Sequence, residues 1–196
     1  FLMVRRPPRS TLFPSATLFR SAYAICIDEW IDERKDFMKS TDAALHKLRA
    51  NHDRFGDWLL AIAAYNCGAG AMDRAIKAGG SRNYWVLRER GALPPETASY
   101  IPKFLAVVSV AMHAGRNGLE VSWTPPIQWV RIQLDRPVDI SMLAAAAGIP
   151  MDTMKAGNPE LRYGVTPPEG RYAIKVPADA EENTRRALAS REKLMN

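Results

Sequence analysis

One short segment constrains the fold of this chain more than any other: residues 61–70, Ala-Ile-Ala-Ala-Tyr-Asn-Cys-Gly-Ala-Gly, in which an apolar helical run meets a polar, glycine-flanked corner. Apolar residues precede the corner at helical spacing, and the Asp57 side chain can cap the first free amides of the helix. Asn66 tolerates the left-handed conformation that ends a helix. Gly68 and Gly70 then let the backbone turn closely, because they carry no side chain.

The two polar residues at this corner suit the recognition of a sugar. The ring of Tyr65 can cover apolar C–H patches of a saccharide, and the amide of Asn66 offers two donors and one acceptor to an N-acetyl or hydroxyl group. The alternative is an ordinary helix end with Tyr65 half buried, and these two residues by themselves favour that alternative. Motifs elsewhere in the sequence favour the sugar-binding interpretation.

Further motifs stand in a fixed order around this corner. They are Asp-Glu-Arg-Lys-Asp at 32–36, Ser-Thr at 40–41, Phe-Gly-Asp-Trp at 55–58, Ala-Ile at 75–76, Tyr-Trp at 84–85 and Leu-Pro-Pro-Glu-Thr-Ala-Ser-Tyr-Ile-Pro-Lys at 93–103. With these spacings, roughly residues 23–112 resemble the C-terminal two thirds of the catalytic domain of the membrane-bound lytic murein transglycosylase D family. The resemblance implies a mainly α fold, with part of a lysozyme-like (SLT) helical domain over residues 22–115.

The same resemblance implies a chemistry. Members of this family cleave the β-1,4 bond between N-acetylmuramic acid and N-acetylglucosamine of peptidoglycan without adding water, and they leave a 1,6-anhydro product. A single glutamate is proposed to protonate the leaving oxygen and later to deprotonate the muramoyl O6, so the chemistry requires no cofactor. The implied partner is the peptidoglycan glycan strand. The implied location of the parent protein is the periplasm or the outer membrane.

The catalytic glutamate of the family is expected to be absent from this chain. In the family it lies in a Glu-Ser motif, followed by a Gly-Leu-Trp-Gln-Phe type of stretch before the position that Tyr23 matches, and neither motif occurs here. Glu29 and Glu33 follow Tyr23, so neither matches that acid. We therefore expect an N-terminally truncated enzyme that does not cleave glycan, and we assign no catalytic residue. Residues 1–21 look like a translated sequencing adapter, the alternative being a disordered basic arm.

Four residues form the predicted substrate-binding set: Tyr65, Asn66, Glu96 and Tyr100. Glu96 and Tyr100 are four residues apart, so on a continuous helix they share one face, although Pro102 could disturb it. By the family match, these two side chains point into the same cleft as the Tyr65–Asn66 corner. Without the resemblance, Glu96 is a charge at a helix N-terminus and Tyr100 a core residue.

Local patterns predict how this region folds. The charged residues 32–36 are typical of a solvated loop, and the resemblance adds that this turn packs beside the substrate groove. Ser40 or Thr41 is placed to cap the following helix. Residues 101–112 carry Phe, Leu, Val and Met at close spacing and predict a strongly buried helix.

The sequence changes character after a Pro/Gly-rich linker at residues 116–126. Residues 127–134 predict a strand, Asp139 or Ser141 opens a helix, residues 152–156 form a second short helix, and residues 172–177 close with a strand. This βααβ order, with Asn-Pro-Glu-Leu after the second helix, resembles a LysM module over residues 127–177, a small peptidoglycan-binding fold. Residues 178–196 predict a charged helical tail.

Composition and charge limit the kinds of partner and site that this chain could have. The formal charge of +6 includes four arginines among the first 21 residues; without them 23 basic residues face 21 acidic ones, a net of +2, which is weak support for a polyanionic partner. Two cysteines and three histidines lack metal-ligand spacing, so we expect no metal site, and sequence leaves a Cys26–Cys67 pair open. No apolar run is long enough to span a bilayer.

Two other functions are alternatives to the enzyme. The first is a non-catalytic module that binds peptidoglycan through its LysM-like end. The second is a helix-turn-helix at residues 142–154, whose recognition helix offers only Lys155 to phosphates and is therefore poorly equipped for DNA. We expect no nucleic-acid partner.

Overall fold

The computed structural model describes residues 25–120, 125–168 and 172–190. The adapter-like segment 1–21, the Tyr23 landmark and the last six residues of the predicted tail lie outside them. The chain divides into two compact units, which we call the helical unit (described residues 42–120) and the LysM-like unit (described residues 25–41, 125–168 and 172–190). Residues 25–41 thus fold with the C-terminal part of the chain. The domain boundaries given above concern family modules and stay a prediction.

The helical unit is built from five helices and a short 3-10 turn. Their bounds are α1 Phe37–Phe55, which begins in the other unit, α2 Trp58–Cys67, α3 Ala69–Gly79, α4 Tyr84–Glu89, α5 Pro95–Met112 and the 3-10 turn Ala114–Asn117. The mainly helical fold is therefore confirmed. The helices α3 and α5 both pack on α2, which places the two ends of the predicted site on neighbouring elements.

The corner after α2 forms at the predicted place, and Gly68 is the residue that ends the helix. The Asp57 side chain accepts a hydrogen bond from the Leu60 amide at 2.8 Å, so the predicted cap is confirmed. Gly68, with φ +84°, leaves the helical conformation, whereas Asn66 stays inside α2. Glycine has no steric penalty at positive φ, so Gly68 rather than Asn66 ends the helix, and the Asn66 side chain is left for other contacts.

The helix α5 is far less buried than predicted. Only Thr97 and Ile101 are buried among its residues. Val107 is 68% and Met112 74% exposed, and Phe104 and Leu105 are also exposed. The prediction failed because the apolar residues of α5 occur on all sides of the helix, whereas only its first two turns pack on the apolar core of the helical unit.

The LysM-like unit has the predicted βααβ order. Its elements are β1 Trp129–Leu134, α6 Ile140–Ala147, α7 Met151–Gly157, β2 Tyr172–Pro177, the 3-10 turn Ala178–Ala180 and α8 Glu181–Ala189. The two strands are antiparallel, with Trp129 opposite Pro177 and Leu134 opposite Tyr172. Asp139 caps α6, as the sequence predicts, by accepting from the amides of Ser141 and Met142.

The two faces of this sheet are covered by different parts of the chain. Side chains alternate along a strand, so Ile132 and Ile174 point toward the core under α6 and α7. On the outer face lie Arg131 and Lys175, which are also directly opposite each other. Residues 25–41 cover part of that face.

The three acidic residues of the charged segment 32–36 are buried, contrary to the prediction of a solvated loop, whereas Arg34 and Lys35 are exposed. Asp32, Glu33 and Asp36 are only 5, 7 and 4% exposed. Asp36 accepts from Lys175 Nζ at 2.9 Å and from the amides of Met38 and Lys39, so it is Asp36 that caps α1, not the predicted Ser40 or Thr41. A buried carboxylate is stable here because it is fully paired.

Acidification is expected to destabilise the LysM-like unit. Burial alone would raise the pKa of Asp36, but the bonds from Lys175 and two amides lower it overall. The Arg34 guanidinium likewise lowers the pKa of Asp32. Because a lowered native pKa means that the unfolded state binds protons more readily, this stabilisation is present above about pH 4 and is lost as pH falls through the native pKa values.

The measurement is the free energy of opening of the β1–β2 amides, from hydrogen exchange between pH 6 and 3. We expect a decline that begins near pH 4 and becomes shallower in the Asp36→Asn variant. A profile that is flat in the wild type, or equally steep in the variant, would contradict the assignment.

Candidate functional site

The end of α2 and the start of α5 meet in a small polar cluster, which we call the Asn66 corner: Asn66, Glu96 and Thr97. The Thr97 hydroxyl donates to Asn66 Oδ1 at 2.7 Å, and Asn66 Nδ2 donates to Glu96 Oε1 at 3.4 Å. The first bond is short and the second long, so Thr97 does most to fix the amide plane. Asn66 is half buried and Glu96 exposed, which leaves donors and acceptors accessible.

The first turn of α5 is fixed by a favourable helix start and by a buried tyrosine hydroxyl. Pro95 occupies a position early in the helix where its fixed φ is favourable, and Glu96 follows in the first turn near the free amides. The buried Tyr84 hydroxyl donates to the carbonyl oxygens of Thr97 at 3.2 Å and Ala98 at 3.0 Å. Burial raises the pKa of Tyr84, so it stays a neutral donor.

Sequence reasoning missed Thr97. Its side chain is 1% exposed and lies on the buried face of α5, four residues before the equally buried Ile101. This spacing is the signal that could have found it: a hydroxyl on the apolar face of a helix needs a partner, and an amide at the opposite helix end can provide one.

Two of the four predicted substrate-binding residues are directly hydrogen-bonded to each other. Asn66 and Glu96 share a hydrogen bond, and α5 is continuous through Pro102, so Glu96 and Tyr100 lie on one helix face. Tyr100 is half buried and packs on the core of the helical unit. Tyr65 is also half buried, and as the neighbour of Asn66 it points about 100° away around α2. The binding role of all four remains a prediction.

Other chemistry around the corner is limited. Burial raises the pKa of the nearby Cys67 thiol, which therefore stays protonated. The described residues include no cluster of three His, Cys, Asp or Glu side chains that could hold a metal ion. Across those same residues, no helix is long and apolar enough to cross a bilayer.

Comparison with protein families adds independent information. Residues 15–87 match the transglycosylase SLT domain family, and residues 128–193 match the LysM-like domain of lytic transglycosylase MltD. The first match contains α2 and Asn66; the second contains β1 to α8. Both modules were expected from sequence, and their order along the chain agrees with that expectation.

Comparison with individual proteins gives the same answer. The membrane-bound lytic murein transglycosylase D of Escherichia coli (strain K12) is 34% identical over 167 residues, which is 82% of this chain and 36% of that protein. The protein of the same name from Escherichia coli O6:H1 (strain CFT073) matches equally. The chain thus spans about a third of the length of these relatives. It belongs to the family of lytic transglycosylase D, with an SLT region followed by a LysM-like module.

Proposed function

We propose that this chain is the glycan-holding part of a peptidoglycan lytic transglycosylase, a lyase that cleaves MurNAc–GlcNAc bonds to 1,6-anhydro products. The observation that carries the proposal is the Asn66 corner, in which Asn66 lies within the SLT family match and is bonded to Glu96 and Thr97, which follow that match in the chain. A neutral amide held by Thr97, with a carboxylate beside it, offers both donors and acceptors to the N-acetyl and hydroxyl groups of a sugar. Tyr65 and Tyr100 would add apolar ring faces.

The roles of these residues are binding and orientation rather than proton transfer. By resemblance, the acid of the family stands in a Glu-Ser motif, and the printed sequence contains no glutamate followed by serine. Glu96 stays engaged with Asn66 Nδ2 and is proposed to position substrate. We therefore propose that the polypeptide of 196 residues binds glycan strands and does not cleave them.

Purified peptidoglycan sacculi test both halves of this proposal. We expect the polypeptide to co-sediment with sacculi and mass spectrometry to find no 1,6-anhydro-muropeptides in the supernatant. An active lytic transglycosylase added to the same sacculi serves as the positive control for product detection. Release of anhydro products by this polypeptide would refute the claim that it does not cleave. Failure to co-sediment would refute glycan binding.

The name shared by the two relatives supports a cellular location for the parent of this chain. Those proteins are called membrane-bound and act on murein, and we propose that the parent of this chain works in the periplasm or at the outer membrane. Fractionation of cells that express the complete gene, with immunodetection of the protein, checks this placement. Recovery in the cytoplasmic fraction would contradict it.

A non-catalytic binding role for the LysM-like unit has its own support. A cavity of about 670 Å3 lies there between the α6–α7 turn and the ends of the strands, and the acidic Asp179 and the neutral polar residues Gln128, Thr153 and Asn183 line it among apolar ones. Uncharged amides and a hydroxyl suit a neutral saccharide. Gln128→Ala with Asn183→Ala should reduce co-sedimentation; unchanged binding would exclude this cavity.

A further inference from the structure

The LysM-like unit has a second cavity, of about 500 Å3, on the outer side of its sheet. Its walls come from the segment that contains Glu33 and Asp36, from Arg131 and Gln133 on β1, and from Glu160. This volume lies within the range of small-molecule sites in proteins, and the lining is strongly charged. We call it the outer-face cavity.

Glu160 in the wall of this cavity has one carboxylate oxygen that lacks a hydrogen-bond donor among the described residues. The residue is 1% exposed, and its Oε1 accepts from both Lys175 Nζ and the Tyr172 hydroxyl. Its Oε2 is buried with no hydrogen-bond partner among the described residues. An unpaired carboxylate oxygen in a protein interior is costly, and native structures rarely leave one unless a further group completes the site.

Glu33 in the cavity wall is paired with Lys39, but a second group of buried charges beside the cavity does not balance. Lys175 is a single cation between two carboxylates, Asp36 and Glu160, and all three side chains are almost fully buried. The three groups carry a net charge of about −1 when ionised. An ammonium group that entered the cavity would supply both the missing positive charge and the missing donor to Glu160.

A cation with a free guanidinium lines the same cavity. Arg131 is exposed, and its guanidinium makes no hydrogen bond or ion pair with any described side chain or carbonyl. It is directly opposite Lys175 in the register of the two strands, so both side chains project from the outer face close to each other. A guanidinium in this position can hold a carboxylate through two parallel bonds.

We propose that the outer-face cavity binds a small zwitterion, an amino acid or a dipeptide, with its ammonium on Glu160 Oε2 and its carboxylate on Arg131. Both residues that would hold the ligand, Glu160 and Arg131, belong to the LysM-like unit. The inference therefore does not depend on the glycan-binding role of the Asn66 corner. Zwitterionic peptides arise from ordinary protein turnover, with L residues, and from the peptide parts of bacterial cell walls, which contain D residues.

The probe is alanylalanine, in the L,L and D,D forms, titrated into the uniformly 15N-labelled full chain and followed by NMR. We expect saturable shifts of amides in β1 and β2 with at least one of the two forms. N-acetyl-alanylalanine lacks the ammonium and alanylalanine amide lacks the carboxylate, and each should bind about tenfold more weakly or not at all. The form that binds more tightly identifies the source of the ligand.

Two substitutions complete the test. Arg131→Gln removes an exposed side chain and should weaken the dipeptide about tenfold without loss of fold, whereas Arg116→Gln, the same change in the helical unit, should have no effect. Glu160→Gln keeps the shape of the side chain and should remove the preference for the free ammonium over the acetylated form. The proposal is overturned if neither dipeptide gives saturable shifts, if the blocked forms bind equally well, or if Arg131→Gln leaves affinity unchanged.

Discussion

Replacement of Lys175 by methionine is expected to lower the free energy of unfolding of the LysM-like unit by about 3–5 kcal/mol. Lys175 Nζ bonds Asp36 and Glu160, and its side chain is 1% exposed. Methionine fills much of the same space but leaves two carboxylates buried without their cation. Such a loss approaches the whole stability of a small domain, so we expect partial unfolding at room temperature.

Hydrogen exchange of the β1–β2 amides measures this effect within the unit concerned. Lys155→Met is the matched control, because Lys155 is exposed on α7 and should change stability little. Addition of Asp36→Asn and Glu160→Gln to Lys175→Met should restore part of the loss, since the buried charges then disappear together. A loss below about 1 kcal/mol for Lys175→Met would show that water reaches these carboxylates and that they are not truly buried.

The buried ion pairs also show where sequence reasoning stops. The strand 172–177 was predicted with its observed bounds, because hydrophobic alternation and flanking turns are local signals. One of the two partners of Lys175 is Asp36, which is 139 residues away in the chain. A lysine on the outer face of a two-stranded sheet is ordinarily solvated, and no local pattern indicates that a distant acidic segment covers it.

For the candidate site, local sequence signals predict the helix ends that carry its residues but not which of those ends meet. Asp57, Gly68 and Pro95 mark helix ends, and helix ends are readable from capping chemistry. Such signals place Asn66 and Glu96 at ends of helices but say nothing about which ends meet. The pairing came from the resemblance to a family. The packing of α5 on α2 then brings the two side chains within hydrogen-bonding distance.

Composition alone misled the prediction for α5. Apolar residues at 104, 105, 107 and 112 suggest burial, yet a helix that is apolar on all sides needs neighbours on all sides. In the helical unit, the described residues provide such neighbours only for the first turns, around Thr97 and Ile101. Burial is a property of what surrounds a helix, and the sequence of the helix does not contain it.

Replacement of Thr97 by valine is expected to weaken glycan binding at the Asn66 corner by roughly tenfold. Valine has nearly the shape of threonine but cannot donate to Asn66 Oδ1, which now receives that bond at 2.7 Å. The amide can then rotate, and its remaining bond to Glu96, at 3.4 Å, is too weak to hold it. Thr97→Ser keeps the donor and should retain most of the affinity.

A double-mutant cycle separates this positioning role from a merely structural one. Soluble glycan fragments from sacculi are titrated into each variant, and the side-chain amide resonance of Asn66 or, in its absence, the backbone amides of α5 report on this site alone. If Thr97 acts through Asn66, then Thr97→Val should cost nothing further in the Asn66→Ala background. Losses that add in the double variant, or an equal loss in Thr97→Ser, would mean that Thr97 supports the fold of α5 and does not orient the amide.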